Sequence, residues 1–61
     1  MKIKELRNLA GMTQKGFAEY FGIPQRTVED WERGVRVPPV YVLELIEYKL
    51  KSEGYLKGET D

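Results

Sequence analysis

Apolar positions recur along the chain at helical rather than strand spacing. Ile3, Leu6 and Ala10 stand three and four residues apart with Leu9 beside them, which predicts a first helix over about residues 2–10. Gly11 is placed to end it with left-handed backbone angles. Met12-Thr13-Gln14 then reads as a helix start. Thr13 offers a hydroxyl to the free N–H groups of the first turn, and Met12 and Phe17 stand where an apolar pair staples the entry. Gly16 falls where a reciprocal cap wants Glu or Gln, so half of that cap is missing. Gly22 stops this second helix, expected over about 13–21.

Ile23-Pro24 sets the next boundary, because a proline pushes its predecessor out of helical angles and itself suits a first turn. A third helix is expected over about 24–33, ended by Gly34. Val37-Pro38-Pro39 makes an extended turn, and a fourth helix over about 39–53 ends at Gly54. Residues 54–61 hold two glycines and little apolar surface, so they are expected as a flexible tail on a domain spanning 1–53. The fold class is all-α, with four helices, or five, joined by very short turns. On the fourth helix Val40, Leu43, Ile46 and Leu50 form a stripe expected to face the core. Tyr41, Leu45 and Tyr48 form a second stripe, which so small a domain can hardly cover and which is expected to be a dimer surface; the alternative is that the Tyr rings lie over the core edge with their hydroxyls in water, or pack against Tyr55 and Leu56.

Composition narrows the functions available. A chain of 61 residues makes one domain. Such a domain buries only about 60% of its unfolded surface and is stable by roughly 3–9 kcal/mol. There is no Cys and no His, which removes disulfide frameworks, zinc sites, thiol nucleophiles and imidazole bases. An enzyme would then need carboxylates, Lys or Tyr enclosed in a pocket, for which there is little room, and no Gly-rich phosphate loop or metal-ligand cluster occurs. The expectation is a binding domain with no catalytic residues, no cofactor and no metal. No apolar run approaches the ~18–20 residues of a membrane span, so no membrane partner and a cytoplasmic location are expected. Net charge is zero with a pI near 6.3, unlike the basic footprint usual for nucleic-acid binders. Residues 1–36 hold seven basic and five acidic side chains, and residues 37–61 three and five.

Only Gly22 and Ile23 separate the second and third helices, and so tight a turn forces a large angle between them. Ala18 is small where the helices cross, and Phe17, Phe21, Ile23, Val28 and Trp31 supply an apolar wedge. With Val28 and Trp31 turned inward, Gln25, Arg26, Glu29 and Asp30 are the outward positions of the third helix. Gln pairs bidentately with adenine and Arg with guanine, and Asp accepts from cytosine. The plainer alternative is a solvated face on which Arg26 and Asp30 form an i,i+4 ion pair worth a few tenths of a kcal/mol. Arg7 and Glu32 each fall on an inward side of their helices. A charge there needs a partner, so the two are expected as a structural ion pair.

The segment from Thr13 to Ile23, continuing to Trp31-Glu32-Arg33-Gly34 and Pro38, resembles the phage repressor/Cro-type (XRE-like) helix-turn-helix family. The resemblance covers Ile3 to about Leu50 and implies a lambda-repressor-like domain whose third helix enters the major groove of DNA. By that resemblance Gln25, Arg26 and Asp30 match base-reading positions, with Thr27 next in line for a thymine methyl or a phosphate. Gln14 matches the family's phosphate residue at the start of the second helix, with Lys15 beside it, and Arg33 and Arg36 flank Gly34 as further phosphate contacts. It also implies an Arg–Glu pair at the positions of Arg7 and Glu32. The implied function is sequence-specific binding of double-stranded DNA by a bacterial or phage transcriptional repressor. The expected form is a homodimer on half-sites about 34–36 Å apart. Three departures bear on this: Pro24 replaces a Ser or Thr cap, Gly16 replaces an acidic residue, and Glu29 and Asp30 carry charge that repels phosphate. The rival is a protein–protein interaction module, antitoxin-like or adaptor, on the same scaffold.

Overall fold

The computed structural model describes residues 2–56, which form four helices and no strand. They are α1 (Ile3–Leu9), α2 (Gln14–Phe21), α3 (Gln25–Arg33) and α4 (Val40–Ser52). One device ends them all. Gly11, Gly22, Gly34 and Gly54 have φ between 67° and 84°, angles that a side chain disfavours. The N–H of the residue after each glycine returns to a carbonyl five positions back, as from Ile23 to Ala18 at 2.9 Å and from Tyr55 to Leu50 at 2.8 Å. These are Schellman turns, and they satisfy the last carbonyls of each helix at once.

The helix starts differ more. Glu5 accepts a hydrogen bond from the backbone N–H of Lys2 at 3.1 Å, a half-box that opens α1. Thr13 caps α2, its hydroxyl accepting from the Gly16 N–H at 2.9 Å. A Cβ at position 16 would stand only 3.2 Å from that oxygen, so glycine gives the cap its room. Pro24 and Pro39 were expected as first helical residues but stand just outside as caps, with ψ of 138° and 149°. Their fixed φ leaves each carbonyl pointing along the next helix, where Pro24 accepts from Thr27 at 3.0 Å and Pro39 from Val42 at 3.0 Å.

The core gathers Ile3 and Leu6 from α1, Phe17 and Ala18 from α2, Val28 from α3, and Ile46 and Leu50 from α4. Leu6, Phe17, Val28 and Leu50 are fully buried, each contributing about 1.5–3 kcal/mol. α3 packs across both α2 and α1, and Ala18 is the small residue at the crossing. Two expectations are corrected at the edges. Val40 does not face the core; it is 70% exposed, while Leu43 packs against the core as expected and Val42 joins it. With 13 residues α4 is about 20 Å long against about 10–14 Å for the other helices, and its first residue lies beyond the core. Two residues of the expected tail make contacts with the domain. After Gly54 the Tyr55 ring meets Tyr20 edge-on at 5.4 Å and Leu56 packs against the core, because the terminal turn folds the chain back. The rest of the expected tail, 57–61, lies outside the described residues.

Candidate nucleic-acid interface

The turn through Gly22 and Ile23 sets α3 across α2 with its first two residues free of the core. Gln25 and Arg26 are exposed and Thr27 is half-buried. The Gln25 amide donates to Glu29 at 3.2 Å, a neighbouring contact on the helix surface that a base edge can displace. At the other end of α3 the Schellman turn at Gly34 brings the N–H groups of Val35 and Arg36 onto the Asp30 carbonyl, at 3.0 and 3.3 Å. Arg33 and Arg36 are thereby held on the same side of the molecule as Arg26, and all three close on the Asp30 carboxylate at 3.4–3.7 Å.

Asp30 requires a correction. The helical pattern places it outward, yet the residue is only 8% exposed. Around it Arg26, Arg33 and Arg36 bring guanidinium nitrogens within 3.7 Å of its carboxylate. The spacing of Arg26 and Arg33 from Asp30 signals two of these contacts in the sequence. The contribution of Arg36 depends on the turn and has no such signal.

Gln14 and Lys15 open α2. Lys15 is exposed, and the α2 N-terminus carries two N–H groups, those of residues 14 and 15, that neither the Thr13 side chain nor its carbonyl takes. The Gln14 side chain turns inward and donates to Glu32 at 3.0 Å. The signal for this was the inward position of Glu32, whose two oxygens need more than one partner.

Behind α3 lies the pair formed by Arg7 and Glu32. The Arg7 Nε and Nη2 atoms donate to the two Glu32 oxygens at 2.6 and 3.0 Å, and Nη1 donates to the Met12 carbonyl at 3.0 Å. The side chains are 14% and 7% exposed. The Arg7 hydrogen bond holds the Glu32 carboxyl below the usual carboxylate range despite burial, with Gln14 and the positive charges of Arg7 and Lys4 assisting. The same hydrogen bond raises the Arg7 pKa against the opposing effect of burial. This network ties α1, the α1–α2 turn and α2 to the C-terminal end of α3, and so fixes how α3 is presented.

On the fourth helix Tyr41, Leu45 and Tyr48 are 66%, 62% and 72% exposed, a stripe continued by Val40. Among the described residues no group of His, Cys, Asp and Glu could hold a metal ion, and no helix is long and apolar enough to cross a membrane.

Two helices at a sharp angle, the second offering a polar face rimmed by cations, define a helix-turn-helix domain. The family model described as helix-turn-helix matches residues 3–52, and the chain belongs to that family, in its phage repressor (XRE-like) branch. The family is one of DNA-binding regulators. No curated protein and no solved structure matches the chain.

Proposed function

We propose that this protein binds double-stranded DNA sequence-specifically, reading the major groove with α3, and represses transcription by occupying its operator. The observation that carries the reading is the free N-terminal end of α3, with Gln25 and Arg26 exposed and Arg33 and Arg36 on the same side. Gln25 and Arg26 have the donor geometry for adenine and guanine, and Thr27 sits beside them for a thymine methyl or a phosphate. The α2 N-terminus with the Gln14 and Lys15 N–H groups, the Lys15 side chain, Arg33 and Arg36 grip the flanking phosphates. Asp30 is better suited to holding arginines than to reading a base, because its carboxylate is covered.

The protein acts as a homodimer joined through Tyr41, Leu45 and Tyr48, whose exposure leaves about 1.5–3 kcal/mol of burial free energy per side chain unspent in the monomer. A dimer sets two α3 helices on half-sites about 34–36 Å apart. Selection from random duplex DNA tests both points, the expected product being a two-fold symmetric sequence with that spacing. A chain that enriches no duplex even at low salt is not a DNA reader. The second reading, a protein-interaction module, is favoured by the same exposed stripe and by the zero net charge. It predicts that duplex selection fails while the stripe captures a protein.

A further inference from the structure

A carboxylate in the middle of a surface that meets phosphate should weaken binding. Asp30 stands in that position, on the third helix between Arg26 and Arg33. Its side chain is 11% exposed, whereas those of Arg26, Arg33 and Arg36 are 79%, 63% and 72% exposed. Asp30 is thus by far the least exposed member of the cluster. Arg26 donates through Nε to Oδ1 at 3.4 Å, Arg33 Nη2 lies 3.5 Å from the same oxygen, and Arg36 Nε lies 3.7 Å from Oδ2. Each guanidinium has five N–H donors, so one contact to Asp30 leaves most of them directed at solvent.

We propose that Asp30 is a positioning residue that sets the balance between base reading and phosphate binding at this interface. This rests on the DNA-binding reading above. Three guanidiniums held together would otherwise repel one another and spread. The buried carboxylate offsets one of their charges and gathers them over the second half of α3. It engages Arg26 through Nε, which leaves both Nη groups of that exposed guanidinium free for a bidentate pair with guanine. An arriving phosphate meets donors and not the carboxylate, so the acid does not face it. The net +2 of the cluster also limits attraction to arbitrary duplexes.

Asp30→Asn tests this, since it keeps the side-chain shape and the backbone carbonyl that accepts from Val35 and Arg36. Binding to the selected site and to random duplex is measured across salt concentrations. The expected result is tighter binding to random duplex, a log–log salt slope steeper by about 0.9 from one further phosphate contact, and about a tenfold loss of preference for the selected site. Asp30→Glu keeps the charge and is expected to retain the wild-type slope. In the free protein, the three arginine Nε–H signals are expected to be more mobile in Asp30→Asn than in wild type. A changed preference at one base pair with an unchanged slope would mean that Asp30 itself reads a base, and overturns the role. Unchanged arginine mobility, with DNA binding the same in slope and preference, overturns the role while leaving the DNA reading intact. Binding by neither protein overturns both.

Discussion

Replacing Glu32 by Ala removes a charge on which side chains from two other helices converge. The carboxylate accepts two hydrogen bonds from Arg7 and one from Gln14, at 2.6–3.0 Å, from a position 7% exposed. The substitution leaves the Arg7 guanidinium, 14% exposed, with the Met12 carbonyl as its remaining partner. Breaking one side of a buried pair costs about 3–5 kcal/mol, and the partial access of water to Arg7 argues for the lower end, ~3 kcal/mol. A 61-residue domain holds only roughly 3–9 kcal/mol in total, so the variant is expected to melt ~12–24 °C lower or to be largely unfolded at room temperature. Glu32→Gln keeps the shape and one acceptor and should lose less, about 1–2 kcal/mol, the difference between charged and neutral hydrogen bonds. Replacing both partners, Arg7→Met with Glu32→Met, should recover most of the loss because no buried charge is stranded. The pair also has a pH signature. The folded state lowers the Glu32 pKa, so its contribution is present above the unfolded value of about 4.3 and is lost as pH falls through the folded value. Wild-type stability should therefore drop in acid below about pH 4, and the drop should be shallower in Glu32→Gln. Thermal and urea melts followed by helical circular dichroism measure all of this. A Glu32→Ala loss under about 1 kcal/mol, or a double variant no more stable than the single, would refute the reasoning.

Three further outcomes are expected. Leu45→Glu places a charge in the exposed α4 stripe; on the proposed function, sedimentation should find a dimer for wild type and a monomer with intact helical content for the variant, and a monomeric wild type at high concentration would refute the interface. Removing residues 57–61 should change the melting temperature little, whereas removing 55–61 takes away Tyr55 and Leu56 and should cost about 1–3 kcal/mol by their lost burial. Arg26→Ala should cost about 1–3 kcal/mol on the selected duplex and relax choice at one position, while Arg36→Ala should weaken all duplexes alike and flatten the salt slope by about one unit. Titrations on matched and mismatched duplexes separate the two.

What could be read from the sequence follows from the range of the forces involved. Helix ends were legible to within about one residue because each depends on a local device, such as the Thr13 hydroxyl or a glycine free to adopt positive φ. The Arg7–Glu32 contact spans 25 residues, yet two charges on inward faces left few other solutions. Two of the misses depend on where the chain goes after a helix ends. Asp30 is covered partly by Arg36, which only the turn at Gly34 brings back. Tyr55 reaches Tyr20 and Leu56 reaches the core because the turn at Gly54 reverses the chain, a consequence that composition alone does not display. Val40 is apolar and in register, but the core is shorter than α4. Periodicity assigns a side to a residue; it does not say how far the opposing surface extends.

The zero net charge also takes on a different meaning in three dimensions. Formal charge counts every acid against every base, whereas a ligand meets only the groups left facing it. On and around α3 two of the three acids are engaged by cations. Glu32 is tied to Arg7 and Gln14 and Asp30 is met by three arginines, while Glu29 accepts only from the neutral Gln25 at the surface. The basic groups on that side keep spare donors outward because a guanidinium has more donors than one carboxylate contact uses. A neutral chain can thus present a locally cationic surface while avoiding the broad positive field that would bind any polyanion. On the proposed function, weak long-range attraction trades association rate for selectivity: binding to random duplex should be poor at physiological salt, and affinity should depend on the few base contacts at the start of α3.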